Sequence, residues 1–301
     1  MEIWIAFTLL AAFMQAIRTA GQKQLSAHLS AMATTGVRYI YALPFAWGYL
    51  WWILDYRVIE FPVLTTPFLQ YSLVASVMQI IGTVCLIAAF RYRNFAVATS
   101  LAKTEAIQVA VVGAIVFGIS LSLWGWVSVL IGVVGVLMVS KINWSDSLRN
   151  PYKEVFNNPG MGYGLASGLG LAITTLLIRE SSLALNTDLM VSAAVTLAFM
   201  ITVQSFLSIL YLLLKNKRQL SLTLIHWKLC LFVGITSVLG SIGWFTGASY
   251  QTAAYVKALG QVEFFITLIL TYRLFKEKVS LIEFFGMFLI IASVLILLLW
   301  A

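Results

Sequence analysis

The chain has 301 residues, of which 61% are hydrophobic and only 10% are charged. A soluble domain has about 45–50% apolar and about 25% charged residues, so this composition is typical of a chain whose solvent is lipid. It excludes a soluble enzyme, a disordered tail, a disulfide-rich secreted domain and a nucleic-acid-binding protein. The formal net charge of +8 is then expected from basic loops on the cytoplasmic side of a membrane.

Ten apolar segments are long enough to cross a bilayer as helices, which takes about 20 residues. Each is too long for a barrel strand, which needs about 9–11 residues. The sequence therefore predicts an all-α membrane protein with ten transmembrane helices. In chain order the predicted helices lie at about 4–22, 32–54, 68–90, 95–117, 122–140, 161–178, 189–214, 229–249, 253–272 and 280–300.

A hydrophilic segment rich in Asn, Pro and charge divides these helices five and five. It predicts a first repeat at 1–140, a linker at 141–160 and a second repeat at 161–301. An ungapped alignment with an offset of 158 supports the repeat, because it places Glu105 on Glu263, and a glutamate inside a membrane helix is rare.

Basic residues in the predicted loops show how the two halves are related. Fourteen of them fall on one face of the membrane, here called the basic face, and two on the other. Five helices per half would turn the second half over, so this bias predicts two inverted repeats, a pattern typical of secondary transporters. By the positive-inside rule, both chain termini lie outside the cytoplasm.

Several short motifs link the chain to a known family. The segment 90–98 resembles a turn between the third and fourth helices, and the segment 276–281, leading to Gly286, resembles a Gly-Glu-x-x-Ser turn into the last helix. With Glu105 and Glu263 in the fourth helix of each repeat, the chain resembles the drug/metabolite transporter superfamily, specifically its EamA-type members. The first half departs from the pattern, because Ile119 stands where a glutamate is usual. The resemblance implies two five-helix repeats and a transport function. It also implies termini inside the cell, so the orientation stays open.

Four charged side chains stand out away from the ends of the predicted helices or at matching positions of the two halves: Lys103, Glu105, Lys257 and Glu263. An ionised group at the bilayer midplane costs at least about 2.5–3.5 kcal/mol, so such groups should line a cavity or form pairs. Helical spacing places Glu105 on the opposite side of its helix from Lys103. It places Thr99 beside Lys103, and Lys257 and Gln261 are the second-half equivalents of these two residues.

We interpret Thr99, Lys103, Lys257 and Gln261 as substrate-binding residues. Glu105 and Glu263 are the candidates for proton coupling, because low-dielectric surroundings favour the protonated form of a carboxylate. Alternatively, the glutamates are structural and bond hydroxyl groups on neighbouring helices. Lys257 lies near its helix end and could instead extend to the membrane surface.

Further candidates come from the first, second, eighth and ninth helices. Gln15 and Arg18 lie on one polar stripe, which favours a cavity, and Arg18 and Arg38 could together bind a carboxylate or contact phospholipid headgroups. Trp244 and Tyr255 could form an aromatic box for the substrate or belong to an interfacial aromatic belt.

The leading hypothesis is a secondary active transporter of small polar metabolites that works by alternating access. The mixed Lys and Glu lining favours amino-acid-like or other zwitterionic or anionic solutes, with proton coupling as a further hypothesis. One alternative is a multidrug or organic-cation exporter of the same fold, and another is a channel-like or signalling membrane protein. The sequence has no His cluster and no Cys–His pair, so no catalytic residue, metal or cofactor is expected. The expected partners are a small-molecule substrate and the lipid bilayer, most naturally a bacterial inner membrane. A monomer is compatible with the sequence, which does not determine the oligomeric state.

Overall fold

The computed structural model describes residues 2–93, 95–105, 107–108, 111, 122–139, 159–251, 256, 259–260, 262–277 and 279–300. These residues are helical and contain no strand. In chain order their helices are α1 Ile3–Leu25, α2 Ala31–Ile40, α3 Leu43–Arg57, α4 Thr66–Ala89, α5 Phe95–Ala102, α6 Leu123–Val139, α7 Pro159–Leu183, α8 Leu189–Lys215, α9 Arg218–Ile225, α10 Trp227–Tyr250, α11 Glu263–Arg273 and α12 Leu281–Trp300.

Five of these helices, α1, α4, α7, α8 and α10, are long and apolar enough to cross a membrane. The protein is therefore a multi-pass integral membrane protein, as its composition predicts. The count of ten spans stays a prediction, because parts of the predicted fourth and ninth helices lie outside the described residues.

The second predicted helix is interrupted. It consists of α2 and α3, with a turn at Tyr41–Ala42 between them. Pro44 occupies the first turn of α3. A proline is tolerated there because its missing N–H group would have no partner within the helix in any case.

The two predicted fourth helices are also interrupted, and at equivalent positions. In the first half, α5 ends at Ala102, a turn occupies Lys103–Thr104, and helix resumes at Glu105. In the second half, a turn at Val262 directly precedes α11, which begins at Glu263. Each glutamate therefore follows a break, where backbone polar groups are freed from the regular helical pattern.

Packing between helices follows the predicted repeat. The closest helix pairs are α1 with α10, α4 with α7, and α6 with α12, while α8 packs on α2 and α3. In the numbering of the ten predicted helices, the first two pairs are helix 1 with helix 8 and helix 3 with helix 6. Helices 6 and 8 are the first and third helices of the second half, so exchanging the two halves turns one pair into the other. Helix 5 pairs with helix 10 and helix 2 with helix 7. Each of these pairs joins the same position of the two halves, so the exchange leaves it unchanged. This is the packing expected of two similar halves related by a pseudo-two-fold axis.

Glycines allow close approaches between α10 and α1 and between α7 and α5. A Cβ atom on Gly243 would overlap the Phe7 carbonyl oxygen of α1, and one on Gly164 would lie 2.5 Å from the Leu101 Cβ atom of α5. Both glycines begin Gly-x-x-x-Gly motifs, which here act as small-residue contacts between helices.

The last helix of each half begins at an equivalent serine. The Ser280 hydroxyl lies 2.8 Å from a carboxylate oxygen of Glu283, which also accepts the Ser280 backbone N–H, as in a capping box. The Ser122 hydroxyl accepts the Gly125 backbone N–H at 3.1 Å. The serine shared by the two halves in the alignment therefore caps α6 and α12 alike.

Candidate functional site

A cavity lies where the two halves meet, and both halves line it. Its empty volume is about 930 Å³, including the space at its opening. Seven of the residues predicted from the sequence to bind substrate or carry protons line it: Gln15, Arg18, Thr99, Lys103, Glu105, Trp244 and Glu263. The other three, Lys257, Gln261 and Tyr255, lie outside the described residues.

Glu263 is the centre of a polar network that joins four elements of the fold. Its carboxylate forms an ion pair with Lys103 in the α5 break and accepts a 2.8 Å hydrogen bond from Gln15 Nε2 on α1. The other end of the Gln15 amide accepts a 2.7 Å hydrogen bond from Trp244 Nε1 on α10. The Glu263 side chain is only 3% exposed, whereas that of Lys103 is 19% exposed. The ammonium group is therefore the partner nearer to the open cavity.

Glu105 has a neutral hydrogen-bonding neighbour on α7. The Thr175 hydroxyl oxygen lies 2.7 Å from Glu105 Oε1 and 3.0 Å from the Leu171 carbonyl oxygen. A hydroxyl has one proton to donate. If Thr175 donates it to Glu105, the carboxylate is satisfied in its charged form. If it donates to Leu171, a protonated Glu105 can donate to Thr175. The same geometry therefore accommodates both protonation states.

Lys103 and Glu105 line the same cavity, although regular helical spacing predicts that they face opposite sides. The helix has a turn at Lys103–Thr104, directly before Glu105. The Lys103 backbone N–H is shared between the carbonyl oxygens of Thr99 and Ser100, at 3.0 and 3.1 Å, and the Thr104 N–H bonds that of Leu101, three residues earlier. The turn is therefore tighter than a regular α-helix, and within the cavity Lys103 contacts Glu263 of α11 whereas Glu105 contacts Thr175 of α7.

Arg18 and Arg38 are buried inside the protein. Arg18 is 6% exposed, Arg38 is 4% exposed, and both line the cavity. Arg38 Nη1 donates a 3.0 Å hydrogen bond to Thr83 Oγ1 on α4. Both arginines therefore belong to the cavity lining and not to the exposed surface of the protein.

On the basic face, an ion pair joins the two halves. Lys23 at the end of α1 pairs with Glu277 in the turn before α12. The Lys23 ammonium lies 4.5 Å from the centre of the Phe275 ring, and Glu277 Oε2 accepts the Phe95 backbone N–H at 2.8 Å. These contacts tie α1, the start of α5 and the α11–α12 turn together.

Toward the opposite face, an arginine of the second half joins α7 to the end of α10. Arg179 lies 20 residues after Pro159, the first residue of α7, which corresponds to about 30 Å along the helix. Its Nη1 atom donates to the carbonyl oxygens of Ala248 and Gln251, at 2.7 and 2.8 Å. Arg179 thus bonds carbonyl groups at the end of α10, which an α-helix leaves without internal partners.

Sequence reasoning missed several polar residues of the cavity lining: Gln79, Thr83, Thr174, Thr175 and Ser241. A threonine inside a membrane helix is a weak signal, because its hydroxyl can bond the carbonyl oxygen four residues earlier. Thr83 and Thr174 both do so. Gln79 could have been found, since an amide in the middle of an apolar run has no such local partner.

Comparisons with known proteins agree with this architecture. The model of the EamA-like transporter family matches residues 2–141 and 158–299. Among the solved structures 22 chains match. One, described as the crystal structure of a protein, is 14% identical with a TM-score of 0.63, over 98% of this chain and 95% of the other. At that identity the likeness shows the fold alone. A search of the curated proteins gave no match.

Proposed function

We propose that this protein, which belongs to the EamA-like transporter family, is a secondary active transporter of small polar metabolites. The family is one of membrane transporters in the drug/metabolite superfamily, which gives the class of activity. The proposal adds the solute class, amino-acid-like or other zwitterionic or anionic molecules, and the mechanism. The observation that carries it is the single cavity lined by charged residues of both halves.

Alternating access is supported by how the cavity is built. Its lining comes from α1, α2, α4 and α5 of the first half and from α7, α10 and α11 of the second. Side chains hold both ends: Lys23 of the first half pairs with Glu277 of the second at one, and Arg179 joins α7 to the end of α10 within the second half at the other. Rocking of one half against the other would open one end while the opposite end stays closed. Interrupted helices beside a central site are typical of such transporters.

Proton coupling through Glu105 and Glu263 is part of the proposal. The two hydrogen-bonding arrangements of Thr175 allow Glu105 to gain or lose a proton without moving. Glu263 would be coupled to the solute through Lys103, since any anion that attracts the ammonium group weakens the ion pair. The expected setting is the plasma membrane of a bacterium.

Purified protein reconstituted into liposomes tests the function. The liposomes carry an imposed pH gradient and are offered labelled amino acids, organic acids and organic cations in parallel, with empty liposomes as the control. We expect at least one polar metabolite to accumulate above its external concentration, and a protonophore to abolish that accumulation.

Other outcomes would contradict parts of the proposal. Accumulation of organic cations alone would favour the multidrug-exporter alternative of the same fold. Equilibration without accumulation under any gradient would indicate a channel, because a channel cannot concentrate its solute. Accumulation that the protonophore leaves unchanged would refute proton coupling while leaving the transport class intact.

A further inference from the structure

Two arginines in the cavity have no carboxylate partner among the described residues. Arg18 on α1 and Arg38 on α2 are both more than nine-tenths buried. The ion pairs among the described residues are Lys23–Glu277, Arg57–Asp188 and Lys103–Glu263, and neither arginine takes part in them. A buried cation without a partner is costly, so its presence needs a physical reason.

The hydrogen-bonding capacity of these two side chains is also incompletely used. A guanidinium group has five N–H donors. The Nε atoms of both arginines are buried and have no hydrogen-bond partner, and the one hydrogen bond of Arg38 runs from Nη1 to Thr83. Buried donors left unmatched lower stability. Oxygen atoms of a bound ligand would satisfy them.

The electrostatics of the pair point to a negatively charged ligand. The two guanidinium groups line the same cavity, and like charges in a low-dielectric cavity repel each other. The Glu263 carboxylate lines this cavity too, but it forms its ion pair with Lys103. Two like charges held together in a low-dielectric cavity favour an anion that can lie between them.

The two arginines lie at one depth of the cavity. Arg18 is seven residues before the end of α1 at Leu25, and Arg38 is seven residues after the start of α2 at Ala31. Both are therefore about 10 Å along their helices from the connecting loop. The α10 part of the lining is different, since Phe245 and Ala248 are apolar there. The cavity is thus cationic on the side of the basic face and largely apolar near the end of α10.

We propose that the solute carries a terminal oxyanion, a carboxylate or a phosphate, which binds between Arg18 and Arg38. The rest of the solute extends toward Trp244 and Phe245. This inference rests on the proposed transport function and specifies the chemistry that its cavity recognises. The planar guanidinium fork suits such a group, because it can donate two parallel hydrogen bonds to two oxygens of one oxyanion.

Thermal unfolding of the full-length protein in detergent, at constant ionic strength, tests the subsite. The probes are succinate, its uncharged diamide, inorganic phosphate and the lipid phosphatidylglycerol. We expect saturable stabilisation by succinate or phosphate and none by the diamide, because a ligand that binds the folded state stabilises it. Whichever of the two anions binds more tightly identifies the source of the oxyanion.

Four variants make the test specific. Arg18→Gln and Arg38→Gln should each weaken anion binding by about tenfold or more, since charge-assisted hydrogen bonds are lost. Arg38→Lys keeps the charge but loses the fork, so it should restore part of the affinity and shows that the site still folds. Arg57→Gln removes an arginine that does not line the cavity and should bind anions as the wild type does.

The outcomes separate this inference from the proposed function. Anion binding that is absent, or that Arg57→Gln weakens as much as Arg38→Gln, would overturn the subsite. Stabilisation by phosphatidylglycerol but by neither free anion would also overturn it, in favour of a lipid headgroup. A transported solute without an acidic group would refute the subsite and leave the transport function standing. Arginine-dependent anion binding without transport in liposomes would support the subsite and refute the proposed transport function.

Discussion

The two halves of the molecule present the same glutamate to one cavity, but with different hydrogen-bonding neighbours. Glu263 of the second half forms an ion pair with Lys103 of the first, whereas Glu105 of the first half bonds the Thr175 hydroxyl of the second. Each glutamate follows an interruption of its helix and reaches across to the other half. The two halves therefore share the interrupted helix, and different neighbouring side chains give each glutamate different bonding partners.

This difference shows where a transporter built from two similar halves becomes asymmetric. The position of Lys103 corresponds to Gln261 in the second half, so the repeat supplies one cation where symmetry would supply two. The ends of the cavity differ in the same way. Lys23 pairs with a carboxylate at one end, and Arg179 bonds backbone carbonyl groups at the other.

The largest effect is expected from removing the charge at Glu263. Glu263→Gln leaves the Lys103 ammonium without its carboxylate, which costs 3–5 kcal/mol for a fully buried pair and about 2 kcal/mol here, since Lys103 is partly exposed. We also expect loss of uptake. Denaturant unfolding in detergent measures the first effect and liposome uptake the second.

A double variant is the control for that prediction. Lys103→Met combined with Glu263→Gln removes both charges and should recover much of the lost stability without restoring transport. Equal free energies of unfolding of Glu263→Gln and wild type would show that the ion pair does not stabilise the fold.

Glu105→Gln should have a smaller effect on folding and a specific one on transport. The amide oxygen can still accept the Thr175 hydroxyl proton, so stability should change by less than about 1 kcal/mol. Uptake should lose its dependence on the proton gradient, because an amide does not carry a proton between the two sides. Initial uptake rates at several internal and external pH values measure this. Thr175→Val keeps the Glu105 carboxylate, so its uptake should still depend on the proton gradient. If uptake by Thr175→Val no longer depends on the gradient, the coupling role belongs to the hydroxyl instead.

Changes at the two ends of the cavity should have opposite effects on its accessibility. An ion pair near a protein surface contributes at most about 1 kcal/mol, so Lys23→Met should shift the balance between open forms by up to about fivefold toward opening at the basic face. Arg179→Met should favour opening at the other face. A cysteine at Thr99, in a chain whose Cys85 and Cys230 are replaced by alanine, reports this through labelling by a membrane-impermeant reagent from each side. Increased labelling from the same side in both variants would contradict the opposite roles of the two ends.

The smallest difference should come from the serines that begin the last helices. Ser280 shares a reciprocal pair of bonds with Glu283, so Ser280→Ala should cost about 1–2 kcal/mol. Ser122→Ala should cost about 0.5–1 kcal/mol, because it removes a simple N-cap. Thermal unfolding of the two variants side by side measures the difference, and equal losses would show that the Glu283 contact adds nothing.

The sequence by itself determined the lipid environment, the helical class and the repeat. These follow from properties that act along the chain, namely apolar length, loop charge and the shared glutamates at positions 105 and 263. It also identified most of the charged residues of the cavity, because an ionisable group such as Lys103 is too costly in a membrane to be incidental.

Only the tertiary structure decided how those residues are used. Regular helical spacing places Lys103 and Glu105 on opposite sides of their helix, yet both line one cavity. The partner of Lys103 lies 160 residues away at Glu263, and that of Glu105 lies 70 residues away at Thr175. Local periodicity cannot predict such pairs, because the packing of one half against the other sets them. The burial of Arg18 and Arg38 is likewise a property of the packed halves, and neither helix shows it alone.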